Sequence, residues 1–463
     1  MKRIVFCGFR GTGKTEVGSL VAQQMGLPFI DTDQLVEEKT GRSIPSIFSE
    51  DGEERFRIHE REVVADLPAT DVVVATGGGA VIDPVNMEHL RPGSVCVLLT
   101  ADIATIERRL AQKPRPPLTG LPLSEEIAEL MERRRQYYYA AADFCFDTGG
   151  TSPETAAQAV LALLKNGTTT LTQRKTAMDF FRAGRIPAPA LAALEKILIA
   201  PDRDPQTRIL GVAGYPAAHS RSPALFNALC SRYRINYHYT WFESPDIQQI
   251  MQVARETDAK GLSVTIPFKR DMMDHLDEIG DRAAPRIGAV NTVVFACGTA
   301  IGYNTDWLGI RKPLVPMKGA TAVILGAGGA ASAAAFALTD LEMKVTILNR
   351  TPERAQELAA RSGCGWAEWD AFDRIKPDLV VNATPLGMVP DTQSPLRDDQ
   401  LKKEMTVFDL VYTPPVTPLI ETARKKGCRT ITGIEMFVQQ AREQFYLFFG
   451  IDVPETVVRE LVS

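Results

Sequence analysis

Gly8-Phe9-Arg10-Gly11-Thr12-Gly13-Lys14-Thr15 and Gly326-Ala327-Gly328-Gly329-Ala330-Ala331 are two glycine-rich loops of different grammar in one chain. The first reads GxxxxGK[ST] between the strand-like Arg3 to Phe6 and an amphipathic stretch, the context in which loop amides and a helix N-terminus cradle a polyphosphate. Gly11, Thr12 and Gly13 supply the loop amides, Lys14 neutralises β and γ oxygens, and the Thr15 hydroxyl reaches Mg2+. The second loop follows Thr321 to Leu325, and its Gly326, Ala327, Gly328, Gly329 and Ala330 fit the turn at which a helix N-terminus meets a dinucleotide pyrophosphate. A phosphoryl-transfer site and a hydride-transfer site are therefore expected on the same chain.

Around these loops the composition is that of an ordinary globular protein. The 463 residues, 45% of them hydrophobic, suffice for two or three domains with their own cores. A net charge of -5 gives no electrostatic case for nucleic acid and favours small phosphorylated and carboxylated ligands. Seven scattered cysteines, without a CxxC pair or zinc spacing, read as reduced cytosolic thiols. Met1 to Cys7 already reads as a strand, leaving no room for a targeting peptide, and no apolar run is long enough to span a bilayer. The expected location is cytoplasmic.

Short β-branched runs such as Val72 to Ala75 and Val95 to Leu99 alternate with amphipathic stretches up to Lys165, the pattern of a parallel α/β sheet. From Asn166 to Thr207 the composition shifts to a linker with one helix, Ala190 to Leu198. A second α/β pattern begins at Ile209 to Val212. The division expected is a first domain over 1–166, a linker over 167–206, and a second domain over 207–463. Within the last, a substrate lobe spans about 207–315 plus terminal helices over 433–463, and a nucleotide lobe spans about 316–432.

Further residues bear on the chemistry of the first half. Asp31 and Asp33 follow a short apolar run, where one carboxylate suits a metal-bound water and the other a substrate hydroxyl. The same pair equally suits a helix N-cap. Glu53 to Glu60 brings Arg57, and Gly77-Gly78-Gly79 brings backbone that a ligand can approach closely.

In order along the chain, these motifs resemble those of the shikimate kinase family. The phosphate loop is followed by Asp31 to Asp33, Ile47 to Glu60, Gly77 to Gly79, the lid motif Arg115-Pro116, and Arg135 three residues before Tyr138. The resemblance implies ATP as phosphoryl donor, with Asp33, Arg57, Gly79 and Arg135 holding shikimate and Asp31 helping Thr15 place Mg2+. It further implies that Arg115 closes over the transferring phosphate, that Arg108 lies against adenine, and that Asp33 orients or deprotonates the attacking hydroxyl.

In the second half, Asn349-Arg350-Thr351 ends the strand-like Lys344 to Leu348, where an NAD enzyme usually has an acidic residue. Arginine there suits a 2′-phosphate and thus NADP. Ser220 and Ser222 lie on a proline-bounded turn suited either to a carboxylate or to capping the next helix. Lys269 and Asp306 would make a proton donor and its partner if they met at a ketone.

With Val264 to Lys269, Asn291 in AVNT, Asn304 to Asp306, Asn382-Ala383-Thr384, Asp409 to Tyr412 and Gly433 to Gln440, these segments resemble shikimate dehydrogenase. The resemblance implies that Ser220, Ser222, Thr265, Lys269, Asn291, Asp306, Tyr412 and Gln440 bind substrate, with Lys269 and Asp306 catalytic and NADPH as reductant. Two departures stand out: Ser263, where many members have asparagine, and Phe437, where leucine is more usual and only packing is expected to change.

The expected fold is thus an α/β protein, a P-loop nucleoside-monophosphate-kinase-like parallel sheet followed by a two-lobe dehydrogenase with a Rossmann NADP-binding lobe. The function implied is reduction of 3-dehydroshikimate to shikimate and its phosphorylation to shikimate 3-phosphate, consecutive steps toward aromatic amino acids. The partners expected are these small molecules, neither nucleic acid nor membrane, with a homo-oligomer compatible. The alternatives are a metabolite-sensing protein built on retired enzyme domains, or a dehydrogenase half that uses quinate or NAD.

Overall fold

The apolar run Arg3–Cys7 forms β1, the buried centre of a sheet in the computed structural model, which describes residues 2–112, 119–218, 220–390 and 392–462. With β2 (Phe29–Asp31), β3 (Val73–Ala75), β4 (Ser94–Thr100) and β5 (Phe144–Asp147) it makes a parallel sheet of order β2-β3-β1-β4-β5. A parallel sheet needs cover on both faces, and alternate residues of each strand supply it. Val5, Val74 and Leu98 enter one core, while Ile4, Phe6, Val73 and Val97 enter the other. Gly8 leaves β1 at φ 137°, where a Cβ would come within 2.3 Å of the Leu99 carbonyl oxygen. Only glycine lets the chain turn there into the helix Lys14–Met25.

Strands β6 (Arg208–Gly214), β7 (Tyr237–Glu243), β8 (Gly261–Val264), β9 (Glu278–Ile279), β10 (Thr292–Ala296) and β11 (Thr299–Tyr303) form a second sheet of order β7-β6-β8-β10-β11-β9. The third consists of β12 (Thr321–Leu325), β13 (Lys344–Leu348), β14 (Gly365–Ala367), β15 (Leu379–Asn382), β16 (Thr406–Asp409) and β17 (Arg429–Ile431). Its order is β14-β13-β12-β15-β16-β17, all parallel, which is the doubly wound arrangement that reverses beside its first strand. The alanine-rich helix Gly329–Asp340 packs into its core.

The chain divides into two compact units. One comprises Met1–Leu262, Val294–Ala300 and Phe445–Asp452; the other comprises Ser263–Val293, Ile301–Gln444 and Val453–Ser463. No helix among the described residues is long and apolar enough to cross a membrane.

Two expectations are corrected. The linker holds two helices, Leu171–Ala183 and Ala188–Leu198, not one. The first has a reciprocal capping box between Thr170 and Gln173, and its Phe181 ring packs edge-on against Phe242 of β7 at 5.2 Å. The segment is thus part of a core, and its polar composition hid that because only one face is apolar. Cys145 and Cys297, expected as free thiols, form a disulfide across 152 residues. Their sequence spacing carries no sign of it, since folding alone brings β5 and the β10–β11 turn together.

Within the first unit, the amino-terminal sheet meets β6 and β7 through buried charge. The Asp143 carboxylate accepts Arg91 Nη1 and Nη2 at 2.7 and 2.9 Å, the Cys96 amide at 2.7 Å and the Tyr237 hydroxyl at 2.9 Å. Arg208 donates to the Asp143 carbonyl and forms an ion pair with Asp258 at 2.7 Å. Beside them Lys260 Nζ donates to the carbonyls of Tyr139 and Ala142 at 2.7 and 2.6 Å.

Burial pushes the Lys260 ammonium down to about 7, helped by the positive charges of Arg91 and Arg208 and opposed by Asp143 and Cys96. Between that value and the ordinary 10.5 the unfolded chain binds the extra proton, so this lysine makes stability rise with pH across that window. Urea unfolding of wild type and Lys260→Met at pH 7, 8 and 9 is expected to show the wild-type stability rising relative to the variant, by at most about 1.4 kcal/mol per pH unit. Parallel curves would refute the assignment.

Candidate active sites

The first loop is built by left-handed glycines, Gly11 at φ 81° and Gly13 at φ 87°, which turn the chain around Thr12. Lys14 is buried and its Nζ donates to the carbonyls of Gly8 and Phe9 at 3.0 and 2.9 Å, so the cation is drawn over the loop. Thr15 Oγ1 donates to Asp31 Oδ2 at 2.7 Å. Asp31 Oδ1 meanwhile accepts the amides of Asp33 and Gln34, capping the helix Thr32–Thr40. The two readings of this carboxylate are compatible, because its two oxygens do different work. Two adjacent hard oxygens, from Thr15 and Asp31, fit Mg2+, which keeps waters and phosphate oxygens as its remaining ligands.

Arg109 was not anticipated. It donates to the Gly11 carbonyl at 3.1 Å and to Thr148 Oγ1 and the Thr148 carbonyl at 2.9 Å, tying the loop to the end of β5. Its neighbour Arg108 is exposed, with Asp102 in electrostatic range. Arg115 lies outside the described residues.

Beyond the loop, the triple glycine lies against Asp33 and Arg57. A Cβ on Gly79 would lie 2.5 Å from Arg57 Nη2, and one on Gly77 would lie 2.5 Å from Asp33 Oδ1 and 3.0 Å from Glu60 Oε1. The absence of side chains on the triple glycine is what lets these groups gather.

Glu60 is the residue that the motif reading left without a role. It is 1% exposed; its Oε2 accepts Arg57 Nη1 at 2.8 Å, and its Oε1 has no hydrogen-bond partner among the described residues. Burial pushes its carboxyl above the usual range, against the pull of Arg57. The signal was its position three residues after Arg57 on one helix face. Tyr138 donates from its hydroxyl to the Gly78 carbonyl at 2.5 Å, and burial raises that hydroxyl to about 12, so it stays a donor. Arg135 lies one turn before it on the helix Leu123–Ala141, 3.1 Å from Glu132.

In the second unit, Lys269 Nζ and Asp306 Oδ2 are 2.6 Å apart. Asn291 Nδ2 donates to Asp306 Oδ1 at 2.8 Å, while Asn291 Oδ1 accepts the Thr305 amide at 2.7 Å. Asp306, at the start of the helix Asp306–Leu314, is therefore held at both oxygens. Thr265 is half-buried at the turn after β8.

Ser263 Oγ donates to Gln444 Oε1 at 2.7 Å, and Gln444 Nε2 donates to Thr292 Oγ1 at 2.9 Å and to the Asn291 carbonyl at 3.2 Å. The unusual serine is thus wired to the asparagine that positions Asp306. Phe437 stacks on Tyr412, an expected substrate residue, with ring centroids 5.3 Å apart. Gln440 Nε2 donates to the Phe437 carbonyl at 3.3 Å. Ser220 and Ser222 belong to the first unit; Ser220 Oγ accepts the Ser222 amide at 3.3 Å, at the opening of the helix Ser222–Arg232.

The dinucleotide loop lies between β12 and the helix Gly329–Asp340. A Cβ on Gly326 would meet the Ala383 carbonyl oxygen at 3.0 Å, whereas Gly328 and Gly329 face open space. That combination leaves Gly328 and Gly329, with Ala327 and Ala330 beside them, as bare backbone for a pyrophosphate, so the residues present fit a dinucleotide. Asn349 Nδ2 donates to the Thr351 carbonyl at 2.9 Å, and Arg350 between them is exposed. At the neighbouring strand ends, Asn382 Nδ2 and Thr417 Oγ1 donate to the buried Asp409 carboxylate at 2.9 and 2.6 Å. This bridge was not foreseen, although both strings were read.

Residues 10–165 match the family Shikimate kinase. Residues 212–293 match Shikimate dehydrogenase substrate binding domain, 310–435 match Shikimate / quinate 5-dehydrogenase, and 433–462 match Shikimate 5'-dehydrogenase C-terminal domain. A shikimate dehydrogenase (NADP(+)) of Maridesulfovibrio salexigens is 40% identical over 262 residues, 55% of this chain and 96% of the relative. Among solved structures, shikimate 5-dehydrogenase from Thermus thermophilus in complex with NADP(H) and shikimate is 32% identical with a TM-score of 0.52, covering 55% of this chain and 98% of that one. Quinate dehydrogenase from Corynebacterium glutamicum in complex with NAD is 31% identical with a TM-score of 0.53 over the same shares. With the Lys269–Asp306 pair and the phosphate loop both in place, the chain belongs to the shikimate dehydrogenase family and carries a shikimate kinase domain ahead of it.

Proposed function

We propose that the chain reduces 3-dehydroshikimate to shikimate with NADPH and phosphorylates shikimate to shikimate 3-phosphate with ATP and Mg2+. The observation that carries this reading is the 2.6 Å contact between Lys269 and Asp306, on a chain whose other half keeps Lys14 and the Asp33, Arg57 and Gly79 cluster. A metabolite sensor descended from these enzymes has no need of either arrangement.

NADPH supplies hydride to the substrate ketone. Lys269 gives or stabilises the proton at the carbonyl oxygen, and Asp306, fixed by Asn291, orients the ammonium. Thr265, Asn291, Tyr412, Gln440, Ser220 and Ser222 are assigned to substrate. Gly326 to Ala330 take the pyrophosphate, and Asn349, Arg350 and Thr351 take the ribose and its 2′-phosphate.

In the kinase half, ATP with Mg2+ supplies the phosphoryl group. Gly11 to Thr15 hold the phosphates, Thr15 and Asp31 the metal, Arg108 the base, and Arg115 is assigned to the transferring phosphate. Arg57 and Arg135 take the shikimate carboxylate, and Asp33 orients the attacking hydroxyl. Glu60 Oε1, buried with no hydrogen-bond partner among the described residues, suits a further substrate hydroxyl.

Three outcomes test the reading. Lys14→Ala is expected to lower phosphoryl transfer about 10²–10³-fold while leaving the reduction intact, and Lys269→Ala to do the converse; steady-state assays of both reactions on each variant check it, and absence of both activities in folded wild type would overturn it. Gly79→Ala, by displacing the Arg57 guanidinium, is expected to cost about 10–100-fold in kcat/KM for shikimate in the kinase assay alone. Arg350→Ala is expected to raise the KM for NADPH about tenfold or more and barely move that for NADH; an unchanged preference would favour the NAD and quinate reading that the Corynebacterium relative represents.

A further inference from the structure

Within the first unit, a small solvent-open pocket, lined by none of the residues assigned to either reaction, lies where the linker leaves the kinase domain and returns to β6. Its lining is apolar at Phe144 and Leu198 and carries three arginines: Arg208, already paired with Asp258, and Arg174 and Arg203 from opposite ends of the linker. The linker ends are brought together there: Gln206 Nε2 donates to the Leu164 carbonyl at 3.1 Å, and Arg203 Nη2 to the Asn166 carbonyl at 3.0 Å.

Arg174 donates through Nη1 to the Thr169 carbonyl at 2.5 Å, and its Nε is buried with no hydrogen-bond partner among the described residues. Neither Arg174 nor Arg203 forms an ion pair with a carboxylate among the described residues. The acidic groups nearby are already engaged: Asp258 takes Arg208 at 2.7 Å and the Thr168 hydroxyl at 2.5 Å, and Asp204 takes Lys2 at 2.7 Å and Asn236 at 3.0 Å. Both guanidiniums are held below their ordinary value by burial first; the like charge of Arg203 lowers Arg174 further, whereas the Asp204 carboxylate pulls Arg203 the other way. Two cations that face one cavity and repel each other are arranged for something negative between them.

We propose that Arg174 and Arg203, with the cavity they rim, form a binding site for a small oxyanion, a phosphate group foremost. The guanidinium forks match phosphate oxygens. An occupant would pin the exit of the linker to its return and so stiffen the junction between the two enzymes. Compounds with one or two phosphate or carboxylate groups fit the chemistry, and malonate serves as the carboxylate probe.

The test is thermal unfolding of the full chain in inorganic phosphate at constant ionic strength, with chloride and malonate as comparison arms. The phosphate loop also binds phosphate, so wild type is run beside Lys14→Ala. A saturable rise in Tm is expected to persist in Lys14→Ala. Its half-saturating phosphate concentration should increase at least tenfold in both Lys14→Ala/Arg174→Gln and Lys14→Ala/Arg203→Gln. Dehydrogenase turnover without phosphate shows that each variant is folded, and either arginine variant alone suffices if the other is not. A rise that vanishes in Lys14→Ala, or one that neither arginine substitution weakens, overturns the proposal; equal shifts in chloride would do the same.

Discussion

A buried carboxylate, Asp143, organises the place where the amino-terminal sheet meets β6 and β7 within the first unit. It lies at the entrance to β5 and is surrounded by Arg91 from the amino-terminal domain and by Tyr237 from β7, with Arg208 bonded to its own carbonyl. Removing such charges from water costs several kcal/mol per ion, and only near-complete hydrogen bonding offsets that. Here the offset requires groups more than 90 residues apart in sequence, so neither domain satisfies the cluster alone. The Phe449 ring, 5.7 Å from the Arg91 guanidinium and 5.1 Å from the Tyr237 ring, closes the cluster with residues from near the carboxyl terminus. Fusion has therefore produced a shared core at this seam, and the packed linker helices and the Cys145–Cys297 disulfide belong to the same unit.

The two reaction centres use the same device at a smaller scale. A charged group is placed by a neutral or opposite partner that is itself fixed by backbone. Asn291 holds both Asp306 and the Thr305 amide, and Gln444 ties the Asn291 carbonyl to Ser263. Glu60 holds Arg57 against a glycine that has no side chain to push it away. Groups fixed in this way before the reaction lower the reorganisation a site needs when charge develops.

Much of this was legible from residue order because the chemistry resides in short strings. The phosphate loop, the strand into Gly326, the Lys344–Leu348 strand and the Asn304–Asp306 turn are local, and local geometry follows from glycine positions and hydrophobic period. Where the reading failed, the cause was non-local. The helix Leu171–Ala183 has an ordinary polar sequence, and what makes it a core element is the Phe181 contact with Phe242.

The sequence by itself determined which chemistries the chain carries: two glycine loops, the residues beside them, and the parallel α/β rhythm, all encoded within a few turns of helix or strand. Tertiary structure alone decided how those residues are held and joined. The Asp143 cluster, the Glu60 carboxylate, the Ser263–Gln444–Asn291 relay and the cysteine pairing each depend on groups far apart in the chain, whose approach is set by packing and by the cost of leaving a buried charge unmet.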